Sequence, residues 1–186
     1  MSATQIHTTN QLDEQEARWF AVYTAYKREK LVSKRLADRS IEAYLPLLEY
    51  TRRYERKVRS VELPLISGYI FVKITRKEYV PVLETPDVVN FVKFARNLIA
   101  IPESEIKIIQ RIVGEVSDVE VRTNEFCEGD EVEIIGGKLT GLRGKLLEGQ
   151  ENKNLLIELT HTGLSLRMYI APGLLMKVQP SGLGRR

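Results

Sequence analysis

The sequence contains one cysteine, Cys127, among 186 residues, which excludes an internal disulfide and a Cys-rich zinc site. Cys127 also has no histidine near it in sequence, so nothing marks it as a nucleophile. The two histidines, His7 and His161, are far apart and have no acidic or cysteine company at ligand spacing, so no metal site is expected. There is no glycine-rich phosphate loop and no nucleophile elbow. The paired acids Glu103 and Glu105 stand where a helix is expected to start, and the helix dipole accounts for them. No catalytic residue and no cofactor are therefore expected, and the chain does not read as an enzyme. No apolar run approaches the roughly 18 residues that span a membrane. The stretch through Ala17 carries Asp13, Glu14 and Glu16 without an apolar block, unlike a signal peptide. A soluble, cytoplasmic protein without a membrane partner is expected. Charge of one sign is scarce too, with a net charge of only +3.

What is present is ordinary globular material, 43% hydrophobic and 28% charged. At about 150 residues per domain the length allows one domain or two small ones. Residues 1–17 are polar, with only Ile6 and Leu12 fit for burial, and are expected to be a flexible tail. Trp19–Tyr26 is aromatic and β-branched, hence a strand. A helix is predicted over Glu29–Arg39, with Val32 and Leu36 on its buried face. Lys27, Lys30 and Lys34 fall on the other side, and Arg28, Arg35 and Arg39 form a second basic stripe. A strand over Ala43–Tyr50, broken by Pro46, leads into Thr51–Ser60, which holds five basic residues and one acid and reads as a hairpin tip. Further strands are expected at Gly68–Ile74 and Val88–Phe94. Short helical turns are predicted near Lys77–Glu84, and a helix follows Pro102 over Glu103–Val113.

The order β-α-β-β-α-β is that of the ferredoxin-like split βαβ arrangement. Ile70 and Val72 can face its helices. Tyr69 and Phe71 then face the other way, where an aromatic platform, another helix or a partner must account for them. Residues 114–125 are acidic and read as a linker. Residues 126–178 hold five short strands with glycine-marked turns, the texture of a small SH3-like barrel. Residues 179–186 form a second polar tail. The expected class is α+β: a ferredoxin-like domain over 18–113, then the barrel.

Glu128–Leu146, with Gly129-Asp130, alternating Val132 and Ile134, and Gly136, Gly137, Gly141 and Gly144, resembles the KOW motif. Gly144 permits close backbone approach where the next strand begins. Arg18-Trp19-Phe20-Ala21-Val22-Tyr23 resembles the opening strand of the NusG N-terminal (NGN) domain. Leu65–Val72 and Val88–Phe94 are similar to its central and last strands. The resemblance covers about Arg18 to Val178 and identifies the chain as a member of the NusG family of transcription elongation factors. Ser67 stands where that family usually has proline, and Leu65-Ile66 where aromatics are common. Tyr23, Ile70-Phe71-Val72 and Asn90–Phe94 look more like the RfaH-like, capsule-operon antiterminators than like housekeeping members.

The resemblance implies binding rather than catalysis. It places an apolar groove on the clamp helices of RNA polymerase, with Tyr23, Tyr44, Leu45, Pro46, Leu65, Ile66 and Tyr69 as the groove by position. The stretch from Lys27 to Arg59 carries eleven Lys and Arg against five Asp and Glu. A docked factor would hold Lys27, Arg28, Lys30, Lys34, Arg52, Arg53, Arg56 and Lys57 near non-template DNA, upstream duplex or nascent RNA, with Tyr54 stacking on a base. The barrel would engage termination factor Rho or a small-subunit ribosomal protein, or fold back on the first domain, and a helical state of Leu155–Leu159 and Leu174–Val178 stays open. Two rival readings remain. Ser67–Lys73 is close to an RNA-recognition-motif signature, departing at Ser67 and Ile70. A ribosome-associated KOW protein is the other.

Overall fold

The computed structural model describes residues 10–54, 57–94, 96–116, 119–123, 129–147, 154–159 and 161–178. The chain forms two compact units, Met1–Ile106 and Lys107–Arg186. The first contains β1 (Arg18–Thr24), α1 (Glu29–Asp38), β2 (Glu42–Tyr44), β3 (Leu47–Tyr54), β4 (Lys57–Pro64) and β5 (Tyr69–Ile74). A 3₁₀ turn at Arg76–Glu78 then runs into α2 (Tyr79–Leu83), followed by β6 (Val88–Phe91) and the start of α3 (Glu103–Glu115). The border between the units thus lies inside α3, ahead of the domain end expected at residue 113.

Four strands form an antiparallel sheet in the order β2-β5-β1-β6. This is the split βαβ order, with the β3–β4 hairpin inserted before its third strand. On one face Phe20 stands opposite Val72 and Val22 opposite Ile70. These side chains bury against Val32 and Leu36 of α1 and Val82 of α2, each contributing about 1.5–3 kcal/mol. The other face is closed as well, because Trp19, Ala21 and Phe71 are buried. At the start of α3, the Glu103 carboxylate accepts a 2.8 Å hydrogen bond from Trp19 Nε1 and lies 3.5 Å from Lys73 Nζ. A helix start is therefore among the groups meeting this face.

Two expectations for this unit need correction. The ladder of the hairpin runs from Leu47 opposite Pro64 to Tyr54 opposite Lys57, so most of the supposed tip is strand. Basic residues there disguise a pattern that Thr51, Tyr54 and Val58 make compatible with β structure. Arg56 lies outside the described residues. The tail is also shorter than expected. Gln11 N–H donates to the Leu98 carbonyl at 2.9 Å, Gln11 Oε1 accepts from Ala100 N–H at 2.8 Å, and Leu12 packs on the core. Residues 1–9 and 179–186 lie outside the described residues.

The second unit contains β7 (Val119–Thr123), β8 (Glu131–Ile134), β9 (Arg143–Leu146), β10 (Leu155–Leu159), β11 (Leu164–Met168) and β12 (Leu175–Lys177). The sheet order is β12-β8-β9-β10-β11-β7. The expected linker therefore contains a strand, since β7 pairs antiparallel along the whole of β11. Alternating Val119 and Val121 fit that role, and the acidity of the stretch hid it. Leu155–Leu159 and Leu175–Lys177 are strands here, so the unit has the barrel form rather than the helical one. The backbones of β9 and β10 approach so closely that a Cβ on Gly144 would lie 2.3 Å from the Leu156 carbonyl oxygen. The end of α3 is tied to the loop before β9, with Arg111 donating to the Lys138 and Thr140 carbonyls, both at 2.9 Å.

Candidate functional site

The strands bring tyrosines together at one end of the first sheet. Tyr23 ends β1 directly opposite Tyr69, which starts β5. Their rings meet edge to face at 4.8 Å, and the Tyr69 hydroxyl donates to the Tyr23 hydroxyl at 3.1 Å. Tyr23 is 38% exposed and Tyr69 half-buried. On the next strand Tyr44 stands opposite Phe71 and stacks on it at 6.4 Å. Phe71 has no exposed surface, so it cannot be a base-stacking platform, and the RNA-recognition reading loses one of its two aromatics.

The turn that presents Tyr69 is fixed by a residue that the sequence did not reveal. Glu29, the first residue of α1, is buried and accepts a hydrogen bond from Gly68 N–H at 2.7 Å. Gly68 has φ +78°, the left-handed region that glycine enters without strain. Gly68 in turn offers its carbonyl to Thr24 N–H at 2.8 Å. An acid at the first position of a largely basic helix was the available signal.

The remaining groove candidates are less accessible. Leu65 and Ile66 are buried at 8% and 5% exposure. Pro46 is buried as well, and its carbonyl accepts from Leu65 N–H at 2.8 Å, closing the hairpin base. Leu45 packs on the core. Tyr23, Tyr44 and Tyr69 thus remain as the surface part of the predicted set.

Burial pushes the Tyr44 phenol up to about 12. Burial first, and then the Tyr23 hydroxyl, raise that of Tyr69 as well. Both groups are held neutral in the fold, while an unfolded tyrosine ionises near pH 10. Their stabilising effect is complete below about pH 10 and is lost as pH rises through the folded values. The urea midpoint should therefore fall steeply between about pH 10 and 12, and Tyr44→Phe should flatten that fall. An unchanged slope in the variant would show that the Tyr44 phenol is not sequestered in the wild-type fold.

The basic residues divide into two groups. Arg35 donates to the Asp87 carboxylate and, at 2.9 Å, to the Pro86 carbonyl, while Arg39 donates to the Pro81 carbonyl at 2.9 Å. These two tie α1 to α2 and the turn after it, so the second basic stripe is mostly structural. Lys30 and Lys34 are exposed on α1, and Lys27 and Arg28 in the turn before it. Lys30 lies 3.5 Å from Glu62 of the hairpin, an exposed pair of little energetic weight. In the hairpin, Arg52 stands opposite Arg59, Arg53 opposite Val58 and Tyr54 opposite Lys57.

The second unit exposes Ile135, Tyr169, Leu174 and Met176. Tyr169 and Leu174 line an open cavity of about 390 Å³. Among the described residues no cluster of His, Cys, Asp and Glu is arranged to hold a metal. No helix among them is long and apolar enough to cross a membrane.

Comparison with known proteins bears on the family and the fold. The family described as "Transcription termination factor nusG" matches residues 17–110. The transcription termination/antitermination protein NusG of Streptococcus pyogenes serotypes M3 and M1 is 28% identical over 156 residues, covering 76% of this chain and 86% of that protein. A structure of Thermotoga maritima NusG superposes with a TM-score of 0.50 at 21% identity, over 88% of this chain and 98% of that one. That structure shares the fold. The chain belongs to the NusG family of transcription termination and antitermination factors.

Proposed function

We propose that the protein is a non-catalytic, cytoplasmic elongation and antitermination factor that docks on the clamp helices of RNA polymerase and favours processive transcription. The observation that carries this reading is the Tyr23–Tyr69 pair, partly exposed beside half-buried Tyr44 and pre-organised by Glu29 and Gly68. Rigid aromatics that lose little entropy on binding make effective anchors for a helical tip. Bridging the polymerase would shift its population away from paused and terminating states. Lys27, Arg28, Lys30 and Lys34, together with Arg52, Arg53, Tyr54, Arg56 and Lys57 of the hairpin, would face non-template DNA or nascent RNA, with salt-dependent affinity. The exposed apolar patch around Tyr169 and Leu174 supports a second protein partner for the barrel, of the kind that Rho or a small-subunit ribosomal protein represents. The sequence features shared with RfaH-like proteins support action on a particular operon, such as one for polysaccharide biosynthesis.

Titration of purified polymerase with labelled full-length protein tests the docking. Tyr69→Ala should weaken binding about 30-fold, as loss of a central aromatic anchor does, while Tyr69→Phe should stay close to wild type. Wild-type affinity in a folded Tyr69→Ala protein would remove this edge from the interface.

A further inference from the structure

Beyond the tyrosine edge, β1 ends in a turn whose own tyrosine, Tyr26, none of the assignments above uses. Arg28 N–H donates to the Ala25 carbonyl at 3.0 Å, closing a tight turn with Tyr26 and Lys27 at its corners. Ala25 N–H is anchored on the Asp87 carbonyl at 2.8 Å, so the turn is held to the body of the unit. Lys27 adopts φ +57°, a conformation that glycine takes without the steric cost a lysine incurs. Its ammonium lies 5.0 Å from the centroid of the Tyr26 ring, a cation–π contact. Tyr26 is nevertheless 77% exposed. The turn thus holds an aromatic ring out in water beside a cation rather than in the core. With Arg28, Lys30 and Lys34 also exposed close by in sequence, it has the composition of a stacking platform flanked by phosphate contacts.

We infer that Tyr26 stacks on an unpaired base of single-stranded nucleic acid, with Lys27 polarising the ring and Lys27, Arg28, Lys30 and Lys34 contacting the flanking phosphates. Stacking needs a base face that a duplex does not offer, so the ligand is the displaced DNA strand or the transcript. This inference rests on the reading of the first unit as facing nucleic acid and adds a residue and a strand class to it.

The test is fluorescence anisotropy of the full-length protein with labelled oligo-dT and oligo-rU of about 12 nucleotides, and with a duplex of equal length. Tyr26→Ala should weaken the better-bound single strand about 10-fold, in the range expected for one lost stack. Its salt dependence should be unchanged, because no phosphate contact is removed. Tyr26→Phe should bind as wild type, and duplex affinity should not change in either variant. Tighter binding of oligo-dT would assign the displaced strand, and tighter binding of oligo-rU the transcript. Wild-type affinity in Tyr26→Ala, or an equal loss in Tyr26→Phe, overturns the stacking. Polymerase binding is measured in parallel. If wild-type protein fails to bind polymerase while Tyr26→Ala still loses the single strand, the docking proposal fails and the stacking stands.

Discussion

Replacing Gly144 with alanine is expected to open the β9–β10 ladder and lower the stability of the second unit by about 3 kcal/mol, at the upper end of overpacking effects. The added Cβ would lie 2.3 Å from the Leu156 carbonyl oxygen and 3.0 Å from a methyl carbon of Leu155. The methyl group can rotate away, but the carbonyl belongs to a neighbouring strand and cannot move without breaking the pairing of β10 with β9 or β11. For a unit of this size the melting transition should fall by more than about 12 °C. Hydrogen exchange locates the damage. Amides of β9 and β10 should lose protection while those of β1 and β5 keep theirs. Wild-type protection throughout would mean that the strands separate more easily than their geometry implies.

Phe71→Ala should cost about 3–5 kcal/mol, the range for emptying a fully buried aromatic site. The ring is fully buried, stacks on Tyr44, and pairs across the sheet with Ala21, whose small side chain cannot fill the space. The protein has one tryptophan, Trp19, on the neighbouring strand. Urea unfolding followed by its emission should show a large drop in midpoint. A base-stacking role predicts the opposite outcome, in which the variant stays stable and loses RNA. A stable Phe71→Ala protein would therefore reopen the RNA-recognition reading.

The parts of the fold that could be read from the sequence were those in which one physical demand dominated. Unbroken aromatic and β-branched residues marked β1 and β5, and the need for close backbone approach marked Gly144. The parts that could not be read were those in which two demands competed. Val119 and Val121 sit among acids, so charge suggested a linker where register makes a strand. In β3 and β4 the same masking came from arginines. Among the groove candidates, Leu65 and Ile66 have the right chemistry for a docking surface, but they are buried, and a single sequence does not separate a core leucine from an interface one. Arg35 and Arg39 look like a phosphate stripe until the carbonyls of the α2 region are placed beside them. Glu29 stood out only as an acid opening a basic helix, and its role stayed hidden because its partner is a backbone amide thirty-nine residues away.

The edge strand β7 also affects how the molecule avoids sticking to copies of itself. Without β7, β11 would be the outermost strand of its sheet, and its sequence Leu-Ser-Leu-Arg-Met would offer an open row of amides and carbonyls flanked by greasy side chains. Such a margin is a template for fibril-like pairing. Laying Val-Glu-Val-Arg-Thr over it moves the margin outward to a strand with a charge at every second position, a pattern that discourages a further chain from joining.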